Sequence, residues 1–363
     1  MRRILLLAVT CCVLASCGSK RGNKPSATTH VTDLKTTPYY YLQLKGTIGN
    51  EHITMQLIKS GPLLFKGYYV YDNVGEPIMV WGNPDDDEIV LYENTDPTEE
   101  RTFKGRLDSA GVFKGKWRGK GTTYEFTLQP DFAEATPLDV YYSVDSVNLL
   151  PGNPNTPIGE ASNCIVWPAA ATEPSVADFI KKSISGGRQV ADVAGFVKRD
   201  IDSFLVTYKT TARDLDTTEG IPATASWSAD ADMKVVWNRY PLLVFEYFSY
   251  EYTGGAHGNY GAQYQVLDLE KKKILTLDDV FRADYKKVLV PELEKAFRRI
   301  YKLEPERPLS SILLEKEISP NNNFLITDKG VAFSYTPYEI GPYAMGQVTL
   351  FIPFKDIESV LKK

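Results

Sequence analysis

Thr122-Thr123-Tyr124-Glu125-Phe126-Thr127-Leu128 decides how the first third of the chain is read. Tyr124, Phe126 and Leu128 fall on one face of an extended segment, and Thr123, Glu125 and Thr127 on the other. That alternation belongs to a half-buried strand. Similar short runs occupy 39–48, 51–58, 63–71, 77–82, 88–93, 101–107 and 111–117. They are separated by turn formers such as Gly49-Asn50, Gly61-Pro62, Asn73-Val74-Gly75, Ser109-Ala110-Gly111 and Gly119-Lys120-Gly121. The spacing predicts an all-β antiparallel meander over 38–130, curled or closed into a small barrel.

Phe-Lys-Gly recurs at 65–67, 103–105 and 113–115, with Leu44-Lys45-Gly46 as a looser relative. Each copy predicts an inward apolar residue, an outward lysine, and a glycine where the strand bends. Such a barrel either holds a ligand or is filled by its own side chains and acts as a spacer. The filled reading is favoured, because small barrels pack their interiors. The acidic turn Asp85-Asp86-Asp87-Glu88 lacks the spaced alternation and glycine of a calcium loop and reads as a solvated turn.

Toward the N-terminus, Met1-Arg2-Arg3 is a basic start and Ile4 to Leu14 an apolar core. The core is shorter than the ~20 residues a spanning helix needs and reads as a secretory signal. It ends Leu14-Ala15-Ser16-Cys17, which resembles the lipobox of bacterial lipoproteins, where small residues fit the peptidase and the thiol accepts lipid. A signal over 1–16 and a polar tether over 17–37, holding His30, are expected. The expected location is the cell envelope, lipid-anchored through Cys17, with Gly18 favouring the outer membrane facing the periplasm. Processing removes Cys11 and Cys12, and lipid occupies Cys17. Cys164 is then alone and no intrachain disulfide is expected.

Toward the C-terminus, residues 138–363 mix two periods. Val190, Val193, Ala194, Val197, Ile201, Phe204, Leu205 and Tyr208 form one helical stripe. A second helix is predicted over 284–302, with Tyr285, Val288, Leu289, Phe297 and Ile300 inward and kinked or divided by Pro291. A short third is predicted over 355–362. Strands are expected at 139–147, 223–228, 231–238, 241–252, 262–269, 323–327, 331–336 and 346–352, with a hairpin at Asp328-Lys329-Gly330. Residues 130–137 read as a linker and 150–163 as a surface loop. The domain reads as α+β, an antiparallel sheet with packed helices.

Composition narrows the chemistry. The formal net charge is −5, against the basic excess of nucleic-acid binders, so neither nucleic acid nor nucleotide is expected as partner. Only three histidines and four cysteines occur, too few for the clusters that most metal and triad enzymes use, so no metal, cofactor or catalytic residue is assigned. Twenty-two tyrosines favour strands and contact surfaces instead. A carboxylate-based hydrolase stays as the minority reading, because a glycosidase needs only two acids.

Two stretches stand out. The first is Tyr250-Glu251-Tyr252-Thr253-Gly254-Gly255-Ala256-His257-Gly258-Asn259-Tyr260, followed by Gln263 to Asp268 and Leu275 to Phe281. The second is Phe324-Leu325-Ile326-Thr327, then Tyr335-Thr336-Pro337-Tyr338-Glu339-Ile340-Gly341-Pro342-Tyr343-Ala344-Met345-Gly346, ending in Phe351-Ile352-Pro353-Phe354. Over about 140–362 these resemble the extracellular domain of RsiV-type anti-sigma factors, which also accompanies PdaC-type peptidoglycan deacetylase domains. The resemblance implies a binding module, with a lysozyme-like protein or peptidoglycan as partner. A sigma-binding segment is not matched. Nor is the deacetylase's Asp and two metal-bound histidines, since no His-x-x-x-His spacing occurs. Candidate binding residues are Tyr250, Tyr252, Gly254, Gly255, His257, Asn259, Tyr338, Glu339 and Tyr343. His257 either offers a polar or acid-base group or pins a tight turn, and the second is favoured. Tyr338, Glu339 and Tyr343 either form a recognition surface or shape a loop.

Overall fold

The computed structural model describes residues 36–94, 99–150, 152, 156–212 and 223–362. The signal, most of the tether, Cys11, Cys12, Cys17 and His30 lie outside them.

Eight antiparallel strands close into a barrel: β1 (Tyr39–Ile48), β2 (Glu51–Ser60), β3 (Phe65–Tyr71), β4 (Ile78–Asp85), β5 (Glu88–Glu93), β6 (Thr102–Leu107), β7 (Phe113–Gly119) and β8 (Thr122–Pro130). β8 returns to pair with β1, Leu44 opposite Pro130. The interior is filled: Leu44, Ile53, Met55, Leu57, Val80, Leu91, Phe103, Phe113 and Leu128 are all fully buried. Phe126 joins them, its ring 4.7 Å from that of Phe113 and 5.2 Å from that of Phe103. Tyr124 departs from its expected partners and is 48% exposed, its ring stacked on Trp117 near the barrel end.

The recurrent glycines mark where neighbouring strands crowd. A Cβ on Gly67 would lie 1.8 Å from the Gln56 carbonyl oxygen, and one on Gly115 2.1 Å from that of Lys104. Gly105 and Gly115 face each other in register. Small radius, strong coiling and glycine are therefore linked. The lysines of the motif diverge: Lys104 and Lys114 are exposed as expected, but Lys66 is buried, because the next unit covers it.

That unit is a six-stranded sheet in the order β14-β13-β12-β11-β10-β9. Its strands are β9 (Leu138–Asn148), β10 (Ile158–Pro168), β11 (Trp227–Arg239), β12 (Leu242–Tyr252), β13 (Asn259–Asp268) and β14 (Lys273–Ile274). The sheet is mixed: β10 runs parallel to β11, Gly159 opposite Trp227. Helices α1 (Pro174–Ser185) and α2 (Val193–Ala212) supply the crossover that a parallel pair requires. The expected surface loop over 150–163 thus gives way to β10 from Ile158. Its turn-like Gly159 serves close packing, since a Cβ there would lie 2.4 Å from the Tyr208 ring of α2. The α2 stripe is buried at Val197, Ile201, Leu205 and Tyr208. Helix α1 lies outside the predicted elements and buries Ala177 and Ile180 on its apolar face. Its start is set by Pro174 and by Glu173, whose carboxylate accepts from the Ser175 and Val176 amides, and Gly186 ends it in the left-handed region.

Beyond the short α3 (Leu277–Val280), α4 (Lys286–Tyr301) runs through Pro291 undivided. Leu289, Leu293 and Phe297 are buried, whereas Ile300 is 42% exposed rather than inward. A second sheet follows with β15 (Phe324–Ile326), β16 (Gly330–Tyr335) and β17 (Val348–Pro353), and the expected last helix is two 3-10 turns, Phe354–Asp356 and Glu358–Val360. The single strand β11 replaces the two segments expected over 223–238, with Ala223–Ala225 a 3-10 turn.

The outer faces of β1 to β3 pack on the six-stranded sheet through a buried polar seam. Lys66 pairs with Asp232, which also lies 3.1 Å from Lys234, and Lys234 lies 2.7 Å from Glu246. Tyr68 and Tyr264 donate to Glu246, the latter at 2.9 Å. Burial alone would raise the Glu246 carboxyl, but Lys234 and the two phenols outweigh it and hold it below the ordinary range.

Candidate functional site

The β12–β13 hairpin and the loop between β16 and β17 meet at one end of the six-stranded sheet. Gly254 and Gly255 both have φ of +100°, a conformation closed to ordinary side chains, and Tyr252 donates its hydroxyl to the Gly255 carbonyl at 3.1 Å. A Cβ on Gly258 would lie 2.5 Å from the Tyr250 ring. This bare turn lets His257 lie flat on Tyr343, with centroids 4.0 Å apart and planes at 27°. The Tyr343 hydroxyl donates to the Gly258 carbonyl at 2.6 Å, and His257 Nδ1 sits 3.0 Å from the same oxygen.

Across from it, Glu339 is committed to its own loop. Its carboxylate accepts from the Thr336 amide at 2.9 Å and the Asn321 amide at 2.7 Å. That network holds Tyr338 at φ +71°, with 57% of the residue exposed. The Tyr338 and Tyr260 rings each lie 5.6 Å from that of Tyr343.

Beside this cluster is a cleft of about 710 Å³. Its floor is low because Ala161, Ala229, Ala231 and Gly261 present little side chain, and its walls are α2 and the 336–343 loop. Tyr250, Tyr260, Tyr338, Tyr343 and Phe204 line it together with Asp200, Asp230 and Glu251, and among the described residues no lysine, arginine or histidine does. Asp230 accepts from the Ser162 hydroxyl at 2.7 Å. A second hollow of about 390 Å³, with Arg188, Phe196, Tyr247 and Cys164 in its lining, adjoins the first at Asn163, Asp200 and Ser249.

Of the sequence candidates, Tyr250, Asn259, Tyr338 and Tyr343 reach the cleft. Tyr252, Gly254 and Gly255 shape the hairpin tip, His257 backs Tyr343, and Glu339 builds the loop. The sequence reading missed Asp200, Asp230, Glu251, Tyr260 and Phe204. The run Ser228-Ala229-Asp230-Ala231-Asp232 carries a signal, since small residues alternating with acids on a strand leave a hollow edged by carboxylates.

His52 stands on β2 of the barrel and His257 in the β12–β13 turn of the six-stranded sheet. Among the described residues no group of three His, Cys, Asp or Glu is arranged to hold a metal ion. These residues do not fit the Asp-and-two-His centre of a metal-dependent deacetylase.

Two family models match the chain: the one described as deacetylase PdaC over residues 162–260, and the one described as a protein of unknown function, DUF3298, over 278–355. The first spans β10 into β13 and the second α3 through β17, so the α2 wall with Ala229 and Ala231 of the floor falls in the first and the 336–343 wall in the second. Among solved structures, a member of the DUF3298 family from Bacteroides fragilis is similar at 26% identity and a TM-score of 0.56, covering 63% of this chain and 96% of that one. A DUF3298 family protein from Pseudomonas aeruginosa aligns at 20% identity and a TM-score of 0.43, covering 62% and 95%. No curated protein matches the chain.

Proposed function

We propose that this chain is a non-enzymatic binding module of the cell envelope, anchored by lipid on Cys17 at the outer membrane facing the periplasm. Its cleft takes a basic protein surface of the lysozyme-type muramidase class. The observation that carries the reading is the lining of the cleft, which among the described residues holds four tyrosines and three carboxylates and no cation. Tyrosines give large contact area at small entropic cost, and a one-signed acidic wall steers and orients a cationic partner. The RsiV-like motifs supply both the hairpin and the loop that hold these rings.

Cell-wall glycan is the second reading, favoured by the exposed Tyr338 ring, a platform on which a sugar can stack. Retention of lysozyme by the soluble chain from Gly18 onward, tested in parallel with purified peptidoglycan, separates the two. Lysozyme retention supports the first reading, and retention of glycan alone replaces it with the second. Release of sugar fragments or acetate from the glycan contradicts both and makes the module a hydrolase. Lipidation is tested by Cys17→Ala, which is expected to free the product from membranes.

A further inference from the structure

The outer face of β6 and β7 carries five cations: Lys104, Arg106, Lys114, Lys116 and Arg118, all exposed. Register sets Lys104 directly opposite Lys116 and Arg106 directly opposite Lys114. Like charges facing each other across a strand pair destabilise it, in a chain whose net charge is −5. Lys104 meets Asp85 and Glu88, and Lys116 meets Glu125 at 3.8 Å. Arg106, Lys114 and Arg118 make no ion pair among the described residues. Lysines often guard sheet edges against pairing with other chains, but a closed barrel has no edge to guard. Two of these cations belong to the Phe-Lys-Gly copies at 103–105 and 113–115. The third copy's Lys66 is instead spent in the buried seam.

We propose that this face docks the barrel on an anionic lipid surface. Complementarity of charge is the first argument. Position is the second: β1 to β3 are covered by the six-stranded sheet, so β6 and β7 lie on the opposite, uncovered side of the barrel. The described chain enters the barrel at β1, two strands around from β7. Thr102 stands between the cations on these strands, and opposite it on β5 lies Tyr92, its ring 5.2 Å from that of the 47% exposed Trp81, amphipathic rings of the kind that sit at the headgroup level of a membrane. Phosphate headgroups need only charge, and each basic side chain near such a surface adds to the attraction. The surface is separate from the cleft, and either can fail without the other.

The test is sedimentation of the soluble chain from Gly18 with vesicles of mixed phosphatidylglycerol and phosphatidylcholine, against phosphatidylcholine alone. Binding to the mixed vesicles only, abolished at high ionic strength, is expected. Combined Arg106→Gln, Lys114→Gln and Arg118→Gln substitution is expected to weaken it on the order of a hundredfold. The same substitutions relieve cross-strand repulsion, so the melting temperature is expected not to fall, which separates lost binding from lost fold. Equal binding to both vesicle types, binding to neither, an unchanged affinity in the folded triple variant, or retention only on a soluble sulfated polysaccharide overturns the proposal.

Discussion

Lys66 on the barrel and Asp232 on the six-stranded sheet form an ion pair whose side chains are only 5% and 15% exposed. The pair joins the two halves of the molecule from the inside. Removing Asp232 strands the Lys66 charge in a poorly solvated place, a cost of about 3–5 kcal/mol in comparable buried pairs, whereas removing Lys66 leaves Asp232 beside Lys234 at 3.1 Å. Asp232→Asn is therefore expected to destabilise the chain by several kcal/mol in denaturant unfolding. A loss under about 1 kcal/mol, the range of a surface pair, contradicts a seam that holds by charge.

The same lysine makes stability depend on pH. Burial pushes the Lys66 ammonium down to about 8. Between about 8 and the ordinary lysine value, the unfolded chain binds more protons at this group than the folded chain does. Its contribution to stability therefore rises with pH across that window and is flat below it. Burial also raises the phenols of Tyr68 and Tyr264, which lose no proton in the fold where unfolded tyrosines do, so stability falls again above the ordinary tyrosine range. Subtracting the pH profile of Lys66→Met from that of the intact chain isolates the rising limb. A difference that falls between pH 8 and 10 runs against this account.

Gly67 is expected to tolerate no side chain. With the Gln56 carbonyl oxygen 1.8 Å from the place a Cβ would take, Gly67→Ala must part β2 from β3. A loss of about 3 kcal/mol or more is expected. A melting temperature within a few degrees of the parent would mean that the barrel coils without needing this glycine.

Cys164 is 2% exposed, and burial pushes its thiol up from the ordinary value. Thiolate chemistry needs both access and ionisation. The chain from Gly18 is therefore expected to resist alkylation at Cys164 in its native state and to react once unfolded. Rapid native labelling would place this cysteine on an open wall of the second hollow.

The barrel was legible because its rule is local. Inward residues alternate with outward ones, turns carry Gly, Asn and Asp, and all eight strands lie close to their expected positions. Long-range closure left no such mark, beyond glycines whose reason is a neighbouring strand. The parallel partner β10 was hidden because Gly159, Ser162 and Asn163 look like turn residues until Tyr208 and β11 are in place. At the cleft, the rings on the hairpin and loop announced themselves by motif. Asp200 and Asp230, on α2 and β11, had no motif, and only the tertiary fold carries them to the same hollow. Lys66 is the sharpest case: the repeat predicted an outward lysine, and the sheet that covers it is encoded elsewhere.

His257 is expected to act through Tyr343 rather than on a ligand. His257→Phe, which keeps a flat ring on the phenol, is expected to retain partner binding, while His257→Ala weakens it. Equal loss in both variants would assign the imidazole nitrogen a direct role.

The central claim is that the acidic, tyrosine-lined cleft binds a cationic protein partner. The most direct measurement is calorimetric titration of lysozyme into the chain from Gly18, alongside the folded Tyr343→Ala and Asp230→Asn/Glu251→Gln variants. The account predicts saturable binding that weakens at least tenfold in each variant and declines with salt. No heat with the parent chain, or the same affinity in all three proteins, would contradict it.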